Sequence, residues 1–120
     1  MINLPKEFTI ETIDNQEFIK DPSGMLWELN PTTELMTYFK GLDFAASKNM
    51  KLPTKYDFFR LLGYFNNDDD FKKSLPMFAD KYTWSQSVFP YSTYAYGLNG
   101  HNGYVDYYSR GYYHSVRCVR

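Results

Sequence analysis

The side chains able to do bond-making chemistry are few and scattered. Cys118 is the only thiol in 120 residues, and His101 and His114 are the only imidazoles. A lone cysteine forms no intrachain disulfide, and no acid–base–nucleophile set is visible around it. It reads as a buried structural thiol, the common state of free cysteine. Neither histidine has a second His or Cys at a ligand-like spacing, so both read as surface or contact residues and no metal is expected. The run Asn66-Asn67-Asp68-Asp69-Asp70 offers oxygen ligands. A calcium loop of the EF-hand kind needs Gly at its sixth position and Glu at its twelfth. Counted from Asp68, those are Lys73 and Ala79, so the run reads as a solvated loop. No catalytic residue and no cofactor is expected.

What remains is the chemistry of contact. Residues 82–120 hold nine of the twelve tyrosines, interleaved with Asn, Ser, His and Gly. Tyrosine gives a large amphipathic contact area with few rotors to freeze, and Ser, Gly and Asn adapt around it. The candidate ligand-binding residues are Tyr94, Tyr96, Asn99, His101, Asn102, Tyr104, Tyr107, Arg110 and Tyr112, within a surface running from about Tyr91 to His114. The bland alternative is an aromatic-rich sheet, since aromatics favour strands anyway.

The elements that must position these residues follow from periodicity. Phe8 to Ile13 alternates as a strand, turns at Asp14-Asn15-Gln16, and pairs with Glu17-Phe18-Ile19. Asp21-Pro22-Ser23-Gly24 is a turn, because Pro presets φ and Gly tolerates φ > 0. Met25 to Leu29 reads as a short buried strand. Pro31-Thr32-Thr33 is expected to open a first helix with Leu35, Phe39, Leu42 and Ala46 on its apolar face and a stop at Lys48-Asn49. Thr54 is the expected N-cap of a second helix, with Asp57 three residues on and Phe58, Leu61, Leu62 and Phe65 facing inward. From Tyr82 the period becomes two. Strands are expected over 82–87, 93–98, 104–108 and 113–119, joined by turns at Asn99-Gly100-His101-Asn102-Gly103 and Ser109-Arg110-Gly111. In the last of these, Val116 and Cys118 share one face and Arg117 and Val119 the other. Trp27 and Trp84 are expected in the core. The class is α+β, with two helices packed on an antiparallel meander, in one domain over residues 1–120.

Composition narrows the partners. The net charge is −1, split as −3 over residues 1–81 and +2 over 82–120. Nothing there attracts nucleic acid or an anionic membrane in bulk, and no apolar run approaches the ~20 residues that span a bilayer. Apolar content of 43% argues against disorder. The single cysteine and the lack of a basic-then-apolar start point to the cytoplasm or a phage particle, with export by another route left open.

With the elements placed, the chain resembles a known bacterial family. The matching residues are Asp21-Pro22-Ser23-Gly24-Met25-Leu26-Trp27-Glu28, then Tyr38 to Leu42, Lys51-Leu52-Pro53-Thr54 with Leu61, Tyr82-Thr83-Trp84-Ser85-Gln86-Ser87, and the closing Val116-Arg117-Cys118-Val119-Arg120. Their order is similar to the C-terminal domain of the Legionella collagen-like adhesin and its relatives. That family has a C-type-lectin-like fold, shared with formylglycine-generating enzyme and with variable proteins diversified by retroelements. The resemblance covers about residues 21–120. It implies a non-enzymatic recognition module that shows a Tyr-rich surface to a protein or glycan. It also implies a cysteine after the tyrosine of the first helix, paired with the cysteine of the closing motif. Here that position is Phe39, the expected packing substitute for the bridge. Relatives have Trp-Arg where this chain has Met50-Lys51. The oxygenase chemistry of formylglycine generation looks to need a second cysteine, and none is present. The sugar-binding motifs of animal C-type lectins (Glu-Pro-Asn or Gln-Pro-Asp, with Trp-Asn-Asp) are absent too. The other reading of the same chain is a small structural or interaction component of a phage or prophage assembly. The Tyr, Asn, Ser, Gly, Asp and His of residues 91–114 are also what adenine-directed diversification of asparagine-type codons would leave.

Overall fold

A computed structural model of the chain describes residues 7–65, 81–90 and 92–120. The candidate loop Asn66–Asp70 and Tyr91 therefore lie outside the described residues. The chain opens with a hairpin, β1 (Thr9–Ile13) and β2 (Gln16–Lys20), continued antiparallel by β3 (Leu26–Glu28). Asp14 and Asn15 form its two-residue turn with φ of 51° and 65°. Positive φ at both central positions is what a two-residue hairpin requires, and Asn and Asp tolerate it. Two helices follow, α1 (Tyr38–Ser47) and α2 (Lys55–Gly63), then a second antiparallel sheet of β4 (Tyr82–Val88), β5 (Tyr94–Asn99) and β6 (Tyr104–Ser109). The described residues form an α+β arrangement of two helices and two three-stranded sheets. No helix among the described residues is long and apolar enough to cross a membrane.

The second helix forms as its sequence predicts. The Thr54 hydroxyl accepts from Asp57 N–H at 3.1 Å, and Asp57 Oδ2 accepts from Thr54 N–H at 2.8 Å. This reciprocal box satisfies two otherwise orphaned N–H groups and contributes about 1 kcal/mol. Phe58 and Leu61 are fully buried beneath it.

The first helix departs from expectation. It starts at Tyr38 behind the N-cap Thr37, not at Pro31-Thr32-Thr33. Residues 32–36 are irregular instead, bending at Thr33-Glu34, because the backbone on either side pairs with the end of the chain: Thr32 N–H donates to Val116 O at 2.8 Å and Met36 N–H to His114 O at 2.8 Å. The buried stripe is Tyr38, Gly41 and Ala45, while Leu35 and Phe39 are exposed and Ala46 faces solvent. A periodicity counted from Leu35 is out of phase because the helix has not yet begun there. Gly41 is needed for this close approach, since a Cβ on it would stand 3.0 Å from Val116 Cγ2. Phe39 is therefore no packing substitute for a disulfide. It is 59% exposed, and Cys118 is fully buried elsewhere. The C-terminal stop at Lys48-Asn49 holds, with Lys48 as C-cap and Asn49 at φ 57°.

The expected fourth strand of the meander, Tyr113 to Val119, is also absent as a strand. The segment makes single antiparallel bridges from His114 to Met36 and from Val119 to both Trp27 and Lys51, and one parallel bridge from Ser115 to Thr83. It runs between the sheets instead of extending one. The alternation expected of it survives. Val116 and Cys118 pack with Phe18, Tyr38, Leu52 and Trp84, whereas Val119 packs with Ile19, Trp27, Phe58 and Leu98. Both tryptophans are core residues, as expected.

Asp21 ties the first sheet to α2. Its Oδ1 accepts from Ser23 N–H (2.9 Å) and Met25 N–H (3.2 Å), and its Oδ2 from Trp27 Nε1–H (2.9 Å) and Arg60 Nη2–H (3.2 Å). Burial alone would raise its carboxyl pKa, but the bonds from Ser23, Trp27 and Arg60 outweigh burial and hold it below the ordinary 3.8. A depressed carboxylate contributes stability that is complete above the unfolded value and is lost as pH falls through the folded one. Asp21→Ala should cost about 3 kcal/mol at pH 7, because it strands Trp27 Nε1–H and part of Arg60. Urea unfolding at pH 7 and again below pH 3.8 checks this: the wild-type advantage must shrink in acid.

Candidate functional site

The register of the second sheet sorts the tyrosines onto two faces. Tyr96 pairs with Tyr107 and Tyr94 with Ser109, so Tyr94, Tyr96 and Tyr107 lie on one side. Tyr82, Trp84 and Tyr108 lie on the other, since Tyr82 pairs with Asn99, Trp84 with Gly97 and Tyr108 with Ala95.

On the first face the rings touch. Phe89 stacks on Tyr107 with centroids 4.8 Å apart and planes at 30°, and Tyr107 meets Tyr94 at 5.6 Å and Tyr96 at 6.4 Å. Lys55, the first residue of α2, carries the cluster onward. Its Nζ sits 4.4 Å from the Tyr96 centroid and 5.2 Å from that of Tyr56. Tyr56 then contacts Phe59 at 6.5 Å. The aromatic strip thus runs from β5 and β6 across to the outer face of α2. Tyr56 (68%), Phe59 (51%), Tyr107 (48%) and Tyr94 (40%) are all exposed. Tyr56 and Phe59 stand on the side of α2 opposite Phe58 and Leu61, which explains why they are not consumed by the core.

On the second face the rings close over His114. Its imidazole stacks on Tyr82 (5.4 Å, 28°) and lies 4.4 Å from Trp84, 5.1 Å from Tyr108 and 6.4 Å from Tyr112. Gly97 is needed beside Tyr108: a Cβ there would stand 3.0 Å from the Thr83 carbonyl oxygen and 3.4 Å from the Tyr108 ring. Burial pushes the His114 pKa down to about 4, against a smaller opposing effect of a hydrogen bond with the Tyr113 backbone, so the ring is neutral at pH 7. Beside it opens a cleft of about 380 Å³ lined by Leu35, Lys81, Tyr82, His101, Tyr113 and His114.

The nine candidate binding residues therefore do not form one surface. Tyr94, Tyr96 and Tyr107 come together on the first face. His101 and Tyr112 belong with His114 on the second, and Tyr104, 66% exposed, pairs with Asn99 at the far end of the ribbon. Asn99 and Asn102 hold the turn: Asn99 Oδ1 accepts from His101 N–H and Asn102 Oδ1 from Tyr104 N–H, each at 2.9 Å. Arg110 ties its own strand ends, donating to Ser92 O at 3.1 Å and Tyr94 O at 3.4 Å, and its guanidinium lies over Tyr38 at 5.6 Å. Sequence reasoning missed Lys55, Tyr56, Phe59 and Phe89. Two aromatics on the polar side of an amphipathic helix were a readable signal; the contribution of Phe89, one residue past β4, depended on how the chain packs against Tyr107.

Cys118 is unsuited to nucleophilic work. Burial, then the neighbouring Glu28 charge and hydrogen bond, push its thiol up to about 12. Among the described residues no group of three or more His, Cys, Asp or Glu side chains gathers where it could hold a metal. No protein-family model and no curated protein matches the chain.

A buried imidazole that stays neutral destabilises the fold in acid. Its folded pKa lies below the unfolded 6.5, so the unfolded chain takes up a proton that the folded chain refuses. Stability should be full above pH 6.5 and fall by roughly 3 kcal/mol as pH drops to about 4. His114→Phe should flatten that window in urea titrations run at stepwise pH. A slope that persists unchanged in the variant would assign it to another group.

Proposed function

We propose that the chain is a non-enzymatic recognition module with a C-type-lectin-like fold, related to the adhesin family it resembles. It presents the strip Tyr94, Tyr107, Phe89, Tyr96, Lys55, Tyr56 and Phe59 to a protein or glycan. The observation that carries this reading is the continuity of that strip. Its rings sit within 4.8–6.5 Å of one another, joined through Lys55, while several are 40–68% exposed. An aromatic surface of this kind is poorly suited to water and well suited to burial against a partner, where tyrosine anchors dominate binding energy. Rings held by one another have little rotamer entropy left to lose on binding.

The rest of the molecule supports a display role. The Leu52-Pro53-Thr54 start that carries part of the family resemblance caps α2, whose first residue is Lys55. The closing Val116-Arg117-Cys118-Val119 is entirely buried, so it serves the scaffold. A thiol near 12 and a neutral, ring-enclosed imidazole are poorly placed for catalysis.

Labelled protein applied to a glycan array and to a panel of purified surface proteins should reveal a ligand. Tyr94→Ala with Tyr107→Ala should then weaken it by about 2 kcal/mol per tyrosine, about thirtyfold each. Because both rings are exposed, unfolding stability should drop by no more than about 1 kcal/mol each. Undiminished binding by the double variant, or its collapse on a thermal ramp, defeats the reading.

A further inference from the structure

The cleft on the opposite face of the second sheet is a separate site. Its volume of about 380 Å³ falls in the range of small-molecule pockets, which run from roughly 300 Å³ upward. Its walls are apolar or aromatic (Leu35, Tyr82, Tyr113) and its other lining groups are Lys81, His101 and His114. Among the described residues no carboxylate lines it. Among the described residues no carboxylate pairs with the Lys81 ammonium either. The local field therefore favours an anion.

A second, independent observation concerns His114. It is 92% buried, since its exposure is 8%, and its Nε2 has no hydrogen-bond partner among the described residues. A buried polar atom left unpaired costs about 1–3 kcal/mol. The cost is recovered only if something reaches that nitrogen. We assign Nε2 as the accepting nitrogen of the neutral ring, so its missing partner is a hydroxyl or N–H donor.

The lining also discriminates between ligand classes. Sugars are held by planar polar side chains that grip neighbouring hydroxyls, such as Asn, Asp, Glu, Gln or Arg. Among the described residues none of these lines the cleft. Flat aromatic rings, in contrast, pack edge-on or offset against Tyr rings and gain about 0.5–1.5 kcal/mol beyond their burial. Tyr113, 65% exposed, has an accessible ring at the mouth.

We propose that this cleft binds a small hydroxylated aromatic carboxylate. The ring packs on Tyr82 and Tyr113, the carboxylate pairs with Lys81, and the hydroxyl donates to His114 Nε2. The site is independent of the aromatic strip on the other face, so either assignment can fail without the other.

The test is titration of the intact chain with 4-hydroxybenzoate, followed by calorimetry and by amide chemical shifts. Shifts should concentrate at Lys81, Tyr82, His101, Tyr113 and His114. Lys81→Met and Tyr113→Ala should each weaken binding about tenfold or more with unfolding stability unchanged, while Tyr94→Ala leaves binding intact. Benzoate, lacking the hydroxyl, and phenol, lacking the carboxylate, should both bind more weakly than 4-hydroxybenzoate. Equal binding of all three, tighter binding of glucuronate, or shifts that avoid the cleft residues would each overturn the proposal.

Discussion

The structure depends on the backbone pairing of its last seven residues. His114 N–H and C=O both bond to Met36, and Ser115 N–H donates to Tyr82 O while its carbonyl accepts from Trp84. Val116 N–H donates to the Thr32 hydroxyl at 2.9 Å, and its carbonyl accepts from Thr32 N–H. Cys118 N–H donates to Glu28 Oε1 at 2.7 Å, and its carbonyl accepts from Glu28 N–H. Val119 exchanges both bonds with Lys51, and Arg120 both with Leu26. One segment thus joins β3, the approach to α1, the loop between the helices, and β4. Buried amides demand partners, and here the partners come from four different parts of the chain. No single β-ladder could have satisfied them, which is why the segment is a series of bridges and not a strand.

That arrangement explains the buried charges. Arg117 is fully buried, and its Nη2–H donates to Leu29 O at 3.2 Å. Burial pushes its pKa down to about 9, with Glu28 acting in the opposite direction, so the guanidinium remains charged at pH 7. Glu28 receives Cys118 N–H, Gln16 Nε2–H at 2.7 Å and the Lys48 ammonium. Removing one member of such a set leaves an uncompensated buried charge, which costs more than the set contributes while intact. The closing motif is therefore engaged by buried charged groups as well as by the packing of its Val and Cys side chains. The constraint a disulfide would supply through the unfolded chain is met here by native-state contacts.

The two aromatic faces follow from the same geometry. The closing segment covers part of the Trp84 side of the second sheet and brings His114 against Tyr82 and Tyr108. On the other side Leu98 is buried in a cluster with Phe58 and Leu61, and only the Tyr94–Tyr107 end stays open. Aromatic residues on the covered side become cleft walls, and those at the open end form a strip. One tyrosine-rich sequence therefore yields two different surfaces.

Local physics was legible in the amino-acid order. The Asp14-Asn15 hairpin, the Asp21–Gly24 turn, the capped α2 and strands β4 to β6 each follow from neighbours a few residues apart, where φ preference, capping and alternation decide the outcome. The burial of Trp27, Trp84 and Cys118 followed from side-chain type. The start and face of α1, the fate of Phe39, the single bridges of the closing segment and the division of the tyrosines were not legible. Each depends on a partner far along the chain: Val116 pulls Thr32 out of a helix, and strand register alone decides which side Tyr107 takes. Sequence by itself determined which residues were suited to contact. Tertiary structure decided which of them share a surface, because that depends on hydrogen-bond pairing between segments as far apart as Leu26 and Arg120.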